Sequence, residues 1–184
     1  MEWQYFKHEL PGTESITNDE ESECYSEFVS GFVEENGYLP IECRDCYKAL
    51  IFWPYSNVNV SNFERMLESL PVSIHGKYNN RVVVFYFKAK ERMLAFLDIL
   101  KEKMDQFGVK GKIDWRVSGR YWQDNYPQFF QSDKEFKPIR WEKDISMKEW
   151  LKRNSMAWGK TQPPSPTPSL PTNPGFSPHH WPPK

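Results

Sequence analysis

The chain has 184 residues, 39% of them hydrophobic and 16% aromatic, which is enough for one folded domain with extensions. It contains no apolar run near the length of a membrane span, and its start lacks the basic and apolar stretches of a signal peptide, so we expect no membrane partner. Its cysteine count of 3 is odd, which disfavours a disulfide framework and favours thiols in a reducing cytoplasm.

The net charge of −1 conceals an uneven distribution of charge along the chain. Residues 1–44 carry 11 acids and 2 bases, residues 45–118 carry 8 acids and 12 bases, and residues 119–184 carry 6 acids and 10 bases. A basic body can attract nucleic acid, but an acidic N-terminal segment would compete for the same surface. We therefore expect another protein as the partner, ahead of nucleic acid.

The acidic N-terminal extension, residues 1–44, is predicted to contain a helix over about residues 16–37. Thr17 and Glu20 have the spacing of a capping box, and Gly37 is a typical helix stop. The apolar residues between them recur at helical spacing: Tyr25, Phe28, Val29, Phe32 and Val33. Such a narrow stripe predicts a helix that lies on another element with its remaining faces in water.

Residues 45–118 predict the order strand, helix, strand, strand, helix, strand. The strands fall at 47–53, 72–76, 81–88 and 112–117, the last as an edge strand; one helix has a capping box at Ser61 and Glu64, and the other covers 90–107. This order predicts an α+β, ferredoxin-like (βαββαβ) domain with an antiparallel sheet and both helices on one face. The central strands are apolar on both sides, so the second face needs a cover: the N-terminal helix, the segment after residue 118, a second copy of the protein or a ligand. Of these we expect the N-terminal helix, through Phe28 and Phe32.

Residues 119–160 predict an aromatic-rich wrap that ends in a short helix over residues 146–158. Residues 161–184 include 9 prolines among 24 residues, a composition typical of a disordered or polyproline II tail. Pro168 and Pro171 form a Pro-x-x-Pro pair that can dock in an aromatic groove of a partner domain. The same prolines can equally act as a spacer.

Cys43 and Cys46 form a Cys-x-x-Cys pair, a spacing that suits a metal ion or a reactive disulfide. Zinc needs about four ligands, and the further candidates are Cys24, His8 and His75. The pair precedes a strand, whereas thioredoxin-like redox motifs follow one. We expect plain thiols and no cofactor, with zinc held by Cys43, Cys46 and Cys24 as the alternative.

The strands at 47–53 and 81–88 carry five aromatic residues: Phe52, Trp53, Phe85, Tyr86 and Phe87. RNA-recognition motifs share the expected topology and stack bases on aromatic residues of the first and third strands. The segment "RVVVFYFK" departs from their third-strand signature, which has a glycine where this chain has valine. We therefore expect these rings to pack in the core, with Phe85 and the edge-strand residue Trp115 as candidate binding residues.

The sequence contains no P-loop, no Gly-x-Gly-x-x-Gly and no carboxylate pair at a typical catalytic spacing. These features favour a non-enzymatic protein, although the fold class hosts many chemistries and an enzyme stays open. The function we predict is a protein-binding or assembly module. The alternatives are a thiol or metal protein that uses Cys43 and Cys46, and a module that binds single-stranded RNA.

Overall fold

The computed structural model describes residues 2–17, 28–138 and 146–158. They form a mixed α+β fold around a five-stranded antiparallel sheet. The strands are β1 (Gln4–His8), β2 (Tyr47–Phe52), β3 (Ile74–Tyr78), β4 (Val82–Phe87) and β5 (Lys112–Val117), with a hairpin of β6 (Phe130–Ser132) and β7 (Glu135–Phe136). The helices are α1 (Val29–Asn36), α2 (Ile41–Arg44), α3 (Asn57–Glu68), α4 (Lys90–Phe107), α5 (Arg120–Asn125) and α6 (Met147–Trp158).

The strands lie in the order β1-β3-β4-β2-β5, and each neighbouring pair is antiparallel. β2 is flanked on both sides, so that Ala49 lies opposite Phe85 of β4 and Trp115 of β5. β5 is at the sheet edge, which confirms its predicted position. The strand at the other edge, β1, was not predicted.

One face of the sheet, here called the helix face, packs against α3 and α4. Every second strand residue contributes to this core, including Ile51, Val83 and Phe85, and none of these three is exposed. The ring of Phe96 on α4 lies 4.9 Å from that of Phe85. Burial of so many large side chains makes this layer the main source of stability.

Phe6 anchors β1 to the same core. Its ring lies 5.3 Å from that of Phe63 on α3 and passes directly over Gly76 of β3. A Cβ atom on Gly76 would come within 2.5 Å of Phe6 Cζ. The absence of a side chain at Gly76 therefore makes room for the Phe6 ring, which holds β1 at the edge of the sheet.

The helix boundaries follow the cap chemistry. α4 has the predicted bounds and ends at Gly108, which adopts a left-handed φ of 68° as helix stops commonly do. The predicted start of α3 at a Ser61 capping box is wrong. Ser56 is the N-cap, its side chain accepting a hydrogen bond from the backbone N–H of Asn59, and Ser61 lies inside the helix.

Residues 16 and 17, the predicted start of the N-terminal helix, are not helical. Ile16 N donates to the backbone oxygen of Ser73, and Thr17 Oγ1 accepts from the backbone N–H of His75, so this segment pairs with β3 and is not helical. Residues 18–27 lie outside the described part of the chain. The end of the helix at Gly37 is confirmed by its φ of 74°.

The prediction that Phe28 and Phe32 cover the second face of the sheet is wrong. Phe32 is fully buried in a separate cluster at the β5 side of the molecule, and Phe28 packs against it. This accessory cluster is formed by Val29, Phe32, Leu39, Cys43, Val117, Trp122, Phe129, Phe130, Met147 and Trp150. The wrap after β5 supplies most of its rings, so the apolar stripe of α1 packs on the wrap and not on the sheet.

Two carboxylates link α6 to the accessory cluster. Trp150 Nε1 donates to Glu35 Oε2 at 2.7 Å, and the backbone N–H of Met147 donates to Glu42 Oε2 at 2.8 Å. The second bond satisfies a backbone donor in the first turn of α6. The predicted helix at residues 146–158 is thus present and packed, whereas the proline-rich tail lies outside the described residues.

Candidate functional site

The second face of the sheet, here called the cationic face, consists of the strand residues that alternate with the helix face. Cross-strand register groups them into rows. They are Tyr5 and Lys7 of β1; His75 and Lys77 of β3; Val82, Val84 and Tyr86 of β4; Lys48, Leu50 and Phe52 of β2; and Lys112, Asp114 and Arg116 of β5. α3 and α4 lie on the other face and α1 and α6 belong to the accessory cluster, whereas α5 (Arg120–Asn125) borders the cationic face through Arg120.

The centre of the cationic face has an apolar floor. Leu50, Val84 and Tyr86 form a small cluster on which Trp3 and Cys46 pack. Above this floor is a concavity of about 330 Å³. It is bordered by five cationic side chains, those of Lys48, Lys77, Arg81, Arg116 and Arg120, and none of the described residues that line it is an Asp or Glu.

Positive charges are juxtaposed on this face. Lys48 of β2 lies directly opposite Arg116 of β5, and like charges in that position destabilise an antiparallel pair. Asp114 is the acid among the described strand residues of the face, and Lys134 Nζ binds its carboxylate at 2.9 Å. Burial alone would raise the pKa of Asp114, but hydrogen bonds from Lys134 and from the backbone N–H of Trp115 hold that pKa below its usual value. The carboxylate is therefore ionised and neutralised locally by Lys134.

Aromatic rings and cations alternate across the face. Lys77 Nζ lies 4.7 Å from the ring centre of Trp3 and 5.7 Å from those of Tyr5 and Tyr86. Lys48 Nζ lies 5.0 Å from the Tyr86 ring. Tyr5 is 61% exposed and Phe52 is 39% exposed, so large ring surfaces are accessible beside the charges.

Exposed rings interleaved with lysine and arginine can bind a flexible polyanion that carries flat groups. Each ring can stack with a base, while each cation can pair with a phosphate. The same cations could bind carboxylates, but carboxylates offer the rings nothing to stack on. The arrangement therefore suits single-stranded nucleic acid better than an acidic surface.

The structure places two of the predicted binding residues, Phe85 and Trp115, on the helix side of the sheet. Phe85 is fully buried on the helix face, and the neighbouring Tyr86 lies on the cationic side of the sheet, where it is also largely buried. Trp115 lies on the helix side between the core and the accessory cluster, with Lys90 Nζ 5.1 Å from its ring centre. Pro168 and Pro171 lie outside the described residues.

The two described cysteines belong to different parts of the fold. Cys43 is fully buried in the accessory cluster, whereas Cys46 is partly buried and packs against the floor of the cationic face. Cys24, the third proposed ligand, lies outside the described residues. Within the described ranges no group of three or more His, Cys, Asp or Glu side chains is placed to hold a metal ion.

Sequence reasoning missed Trp3, Tyr5 and the cations of the central strands as site residues. The sequence contains a signal for the first two. In "WQYFKH", Trp3, Tyr5 and Lys7 occupy alternate positions, with Phe6 between them, as in a strand that has one face buried. The convergence of Lys48 and Arg116 had no such signal, because those residues meet only through the pairing of β2 with β5.

None of the helices in the described ranges is long and apolar enough to cross a membrane. Comparisons with protein-family models, with curated proteins and with solved structures each find no match to this chain.

Proposed function

We propose that this protein binds single-stranded nucleic acid on the cationic face. The observation that carries the proposal is the alternation of cations with accessible rings around a concavity whose described lining has no acid. Bases would stack on the exposed rings of Tyr5 and Phe52, and phosphates would pair with Lys48, Arg81 and Arg116. Stacking of a base on an aromatic side chain contributes about 1–3 kcal/mol and tolerates every base.

The proposed fold agrees with this function. We assign β2–β5 with α3 and α4 to the ferredoxin-like βαββαβ arrangement, supported by the strand order β3-β4-β2-β5 and by both helices packing on one face. RNA-recognition motifs, which share that topology, place base-stacking rings on the two central strands. Phe52 and Tyr86 occupy those two strands here and face away from the helices.

A protein partner was the first expectation from sequence and gives the rival outcome. An acidic peptide would use the same cations and would not need the rings. Three probes titrated with the protein at about 50 mM NaCl separate the two cases. They are a fluorescent oligothymidylate of about ten nucleotides, its duplex with oligoadenylate, and a labelled polyglutamate. We expect the single strand to bind most tightly and its affinity to fall as salt increases.

Alanine variants of exposed rings test the stacking. Phe52→Ala and Tyr5→Ala should each weaken single-strand binding by about 5- to 150-fold, which corresponds to the loss of one stacked base. Tyr55→Ala is the matched control, because Tyr55 is 46% exposed but contacts Trp53 on the helix side. Tighter binding of polyglutamate than of the single strand, or equal affinity in all three variants, would reject the proposal.

A further inference from the structure

Asn79, in the turn between β3 and β4, is held in place by four hydrogen bonds. Its backbone N–H donates to the oxygen of Val82 at 3.0 Å, and its backbone oxygen accepts from Trp53 Nε1 at 2.9 Å. Its side-chain Oδ1 accepts from the backbone N–H groups of Arg81, at 2.8 Å, and Val82, at 3.1 Å. The carboxamide oxygen is therefore used within the turn, and the side chain can offer a ligand only its N–H2 donors.

Asn79 borders the concavity of the cationic face at the end where an aromatic ring and a second donor also lie. Val82 is opposite Phe52, so Asn79, Val82 and Phe52 form one row across β3, β4 and β2. The guanidinium carbon of Arg116 lies 6.0 Å from the Phe52 ring centre, and Arg116 Nε is buried without a hydrogen-bond partner among the described residues. Buried donors without a partner are costly, and they often mark the place of an absent water or ligand.

The size and charge of the concavity suit a single base. Its volume of about 330 Å³ is near the lower limit for ligand pockets, which is about 300 Å³. Its cationic border attracts the partial negative charge of a carbonyl oxygen and repels the partial positive charge of an amino group. Guanine, thymine and uracil carry a carbonyl at the position where adenine and cytosine carry an amino group. The concavity can therefore distinguish keto bases from amino bases.

We propose that the concavity holds one base of the bound strand and selects a keto base over an amino base, with Asn79 as the residue that determines the choice. An asparagine that reads adenine uses both its oxygen and its N–H2 group. That contact is closed here, because Oδ1 is engaged by Arg81 and Val82. The inference rests on the proposed function and adds to it a preference for certain bases at one position of the strand.

A single keto-for-amino exchange in the strand tests the selectivity. The probes are a fluorescent oligodeoxycytidylate of about ten nucleotides and the same strand with a central deoxyuridine, at about 50 mM NaCl and neutral pH. We expect the uracil-containing strand to bind the unmodified protein about 5- to 150-fold more tightly, the range of a well-matched base contact.

Two variants of the turn assign the selectivity to Asn79. Asn79→Asp should remove the preference, because its carboxylate still accepts from the backbone of the turn but has no N–H2 group to donate. Asn80→Asp is the matched control, since Asn80 is exposed and does not border the concavity. It adds the same charge in the same turn and should retain the preference. The ratio of the two affinities is the readout, because it cancels the general effect of the added charge on phosphate binding.

Free nucleotides provide a test that does not depend on strand binding. Titrated into the ¹⁵N-labelled full chain, uridine monophosphate should shift the Asn79 side-chain N–H2 resonances more than cytidine monophosphate does. That difference without any oligonucleotide binding would support the keto selectivity and reject the proposed function. Oligonucleotide binding with equal affinity for the two strands would overturn the selectivity and leave the proposed function standing. A uracil preference that is equally strong in Asn79→Asp and Asn80→Asp would overturn the role of Asn79.

Discussion

The helix face and the cationic face are made by the same five strands and often by adjacent residues. Phe85 is fully buried against α4, whereas Tyr86, the next residue, lies among Lys48 and Lys77. Successive strand residues point to opposite sides of a sheet, so one strand can serve both faces. Core packing and the cationic face are therefore separated by a single residue along the chain.

The two faces also differ in their content of charged side chains. Apolar side chains fill the helix face between the sheet and α3 and α4. The cationic face retains an opposed pair of like charges, Lys48 and Arg116, and an accessible Phe52.

The largest expected effect on stability comes from replacing a phenylalanine by alanine on the helix face, and the same replacement on the cationic face provides the comparison. Phe85→Ala should lower the free energy of unfolding by about 3–5 kcal/mol, because it leaves a cavity in a fully packed core. Phe52→Ala, on the cationic face, should lower it by less than about 1 kcal/mol. Urea unfolding measures both, and equal losses would show that the two faces do not differ as described.

Gly76 tests the close packing of β1 on the helix face. In Gly76→Ala the new Cβ would lie 2.5 Å from Phe6 Cζ and 2.6 Å from the backbone oxygen of Val84, so β1 or β4 must shift. We expect a loss of about 1–3 kcal/mol in urea unfolding, as for an overpacked core.

Gly31→Ala is the control for that substitution. Gly31 is inside α1, and its added Cβ would meet the Trp150 ring at an ordinary 3.4 Å. Alanine is the better helix former, so this variant should be unchanged or slightly more stable. If Gly76→Ala were equally harmless, Phe6 would not be packed over β3.

The elements with strong local signals were predictable from the sequence. α4 and β5 have the predicted bounds, because a long apolar stripe ending at Gly108 and a clean alternation in "KIDWRV" specify them. β1 was missed, since it is short and pairs with β3, which is distant in sequence. Residues 16 and 17 are not helical, because Ser15 and Thr17 pair with Ser73 and His75, contacts that local patterns do not contain.

The site was only partly predictable for a related reason. "RVVVFYFK" is apolar at nearly every position, so it shows which residues form a strand but not which of them face outward. A shift of one residue exchanges the two faces, and that is the difference between Phe85 and Tyr86. The cation cluster depends on cross-strand register, which becomes visible only when β2 and β5 are paired.

A smaller effect is expected at Asp114, the acid of the cationic face. Its pKa is lowered in the folded protein, so its stabilising contribution is present above the ordinary pKa of about 3.9 and is lost as the pH falls through the folded value. Lys134→Met should therefore cost about 0.2–1 kcal/mol at pH 7, the range of a partly exposed ion pair, and nothing in strong acid. Urea unfolding at both pH values, with Lys101→Met as control, measures this, and a cost that persists in acid would assign Lys134 a packing role.

The smallest expected effect is the response to a metal chelator, for which we predict no change. Cys43 is buried in the accessory cluster and Cys46 adjoins the cationic face, so the two thiols serve different packing regions. A metal held by both would contribute its binding energy to folding, and chelation would then lower the Tm. We expect the wild-type protein to melt at the same temperature with and without EDTA, and the Cys43→Ser, Cys46→Ser variant to be equally indifferent. A drop in the wild-type Tm that is absent in that variant would mean that the two regions share a metal, and it would make the cysteine pair a functional site in place of a structural one.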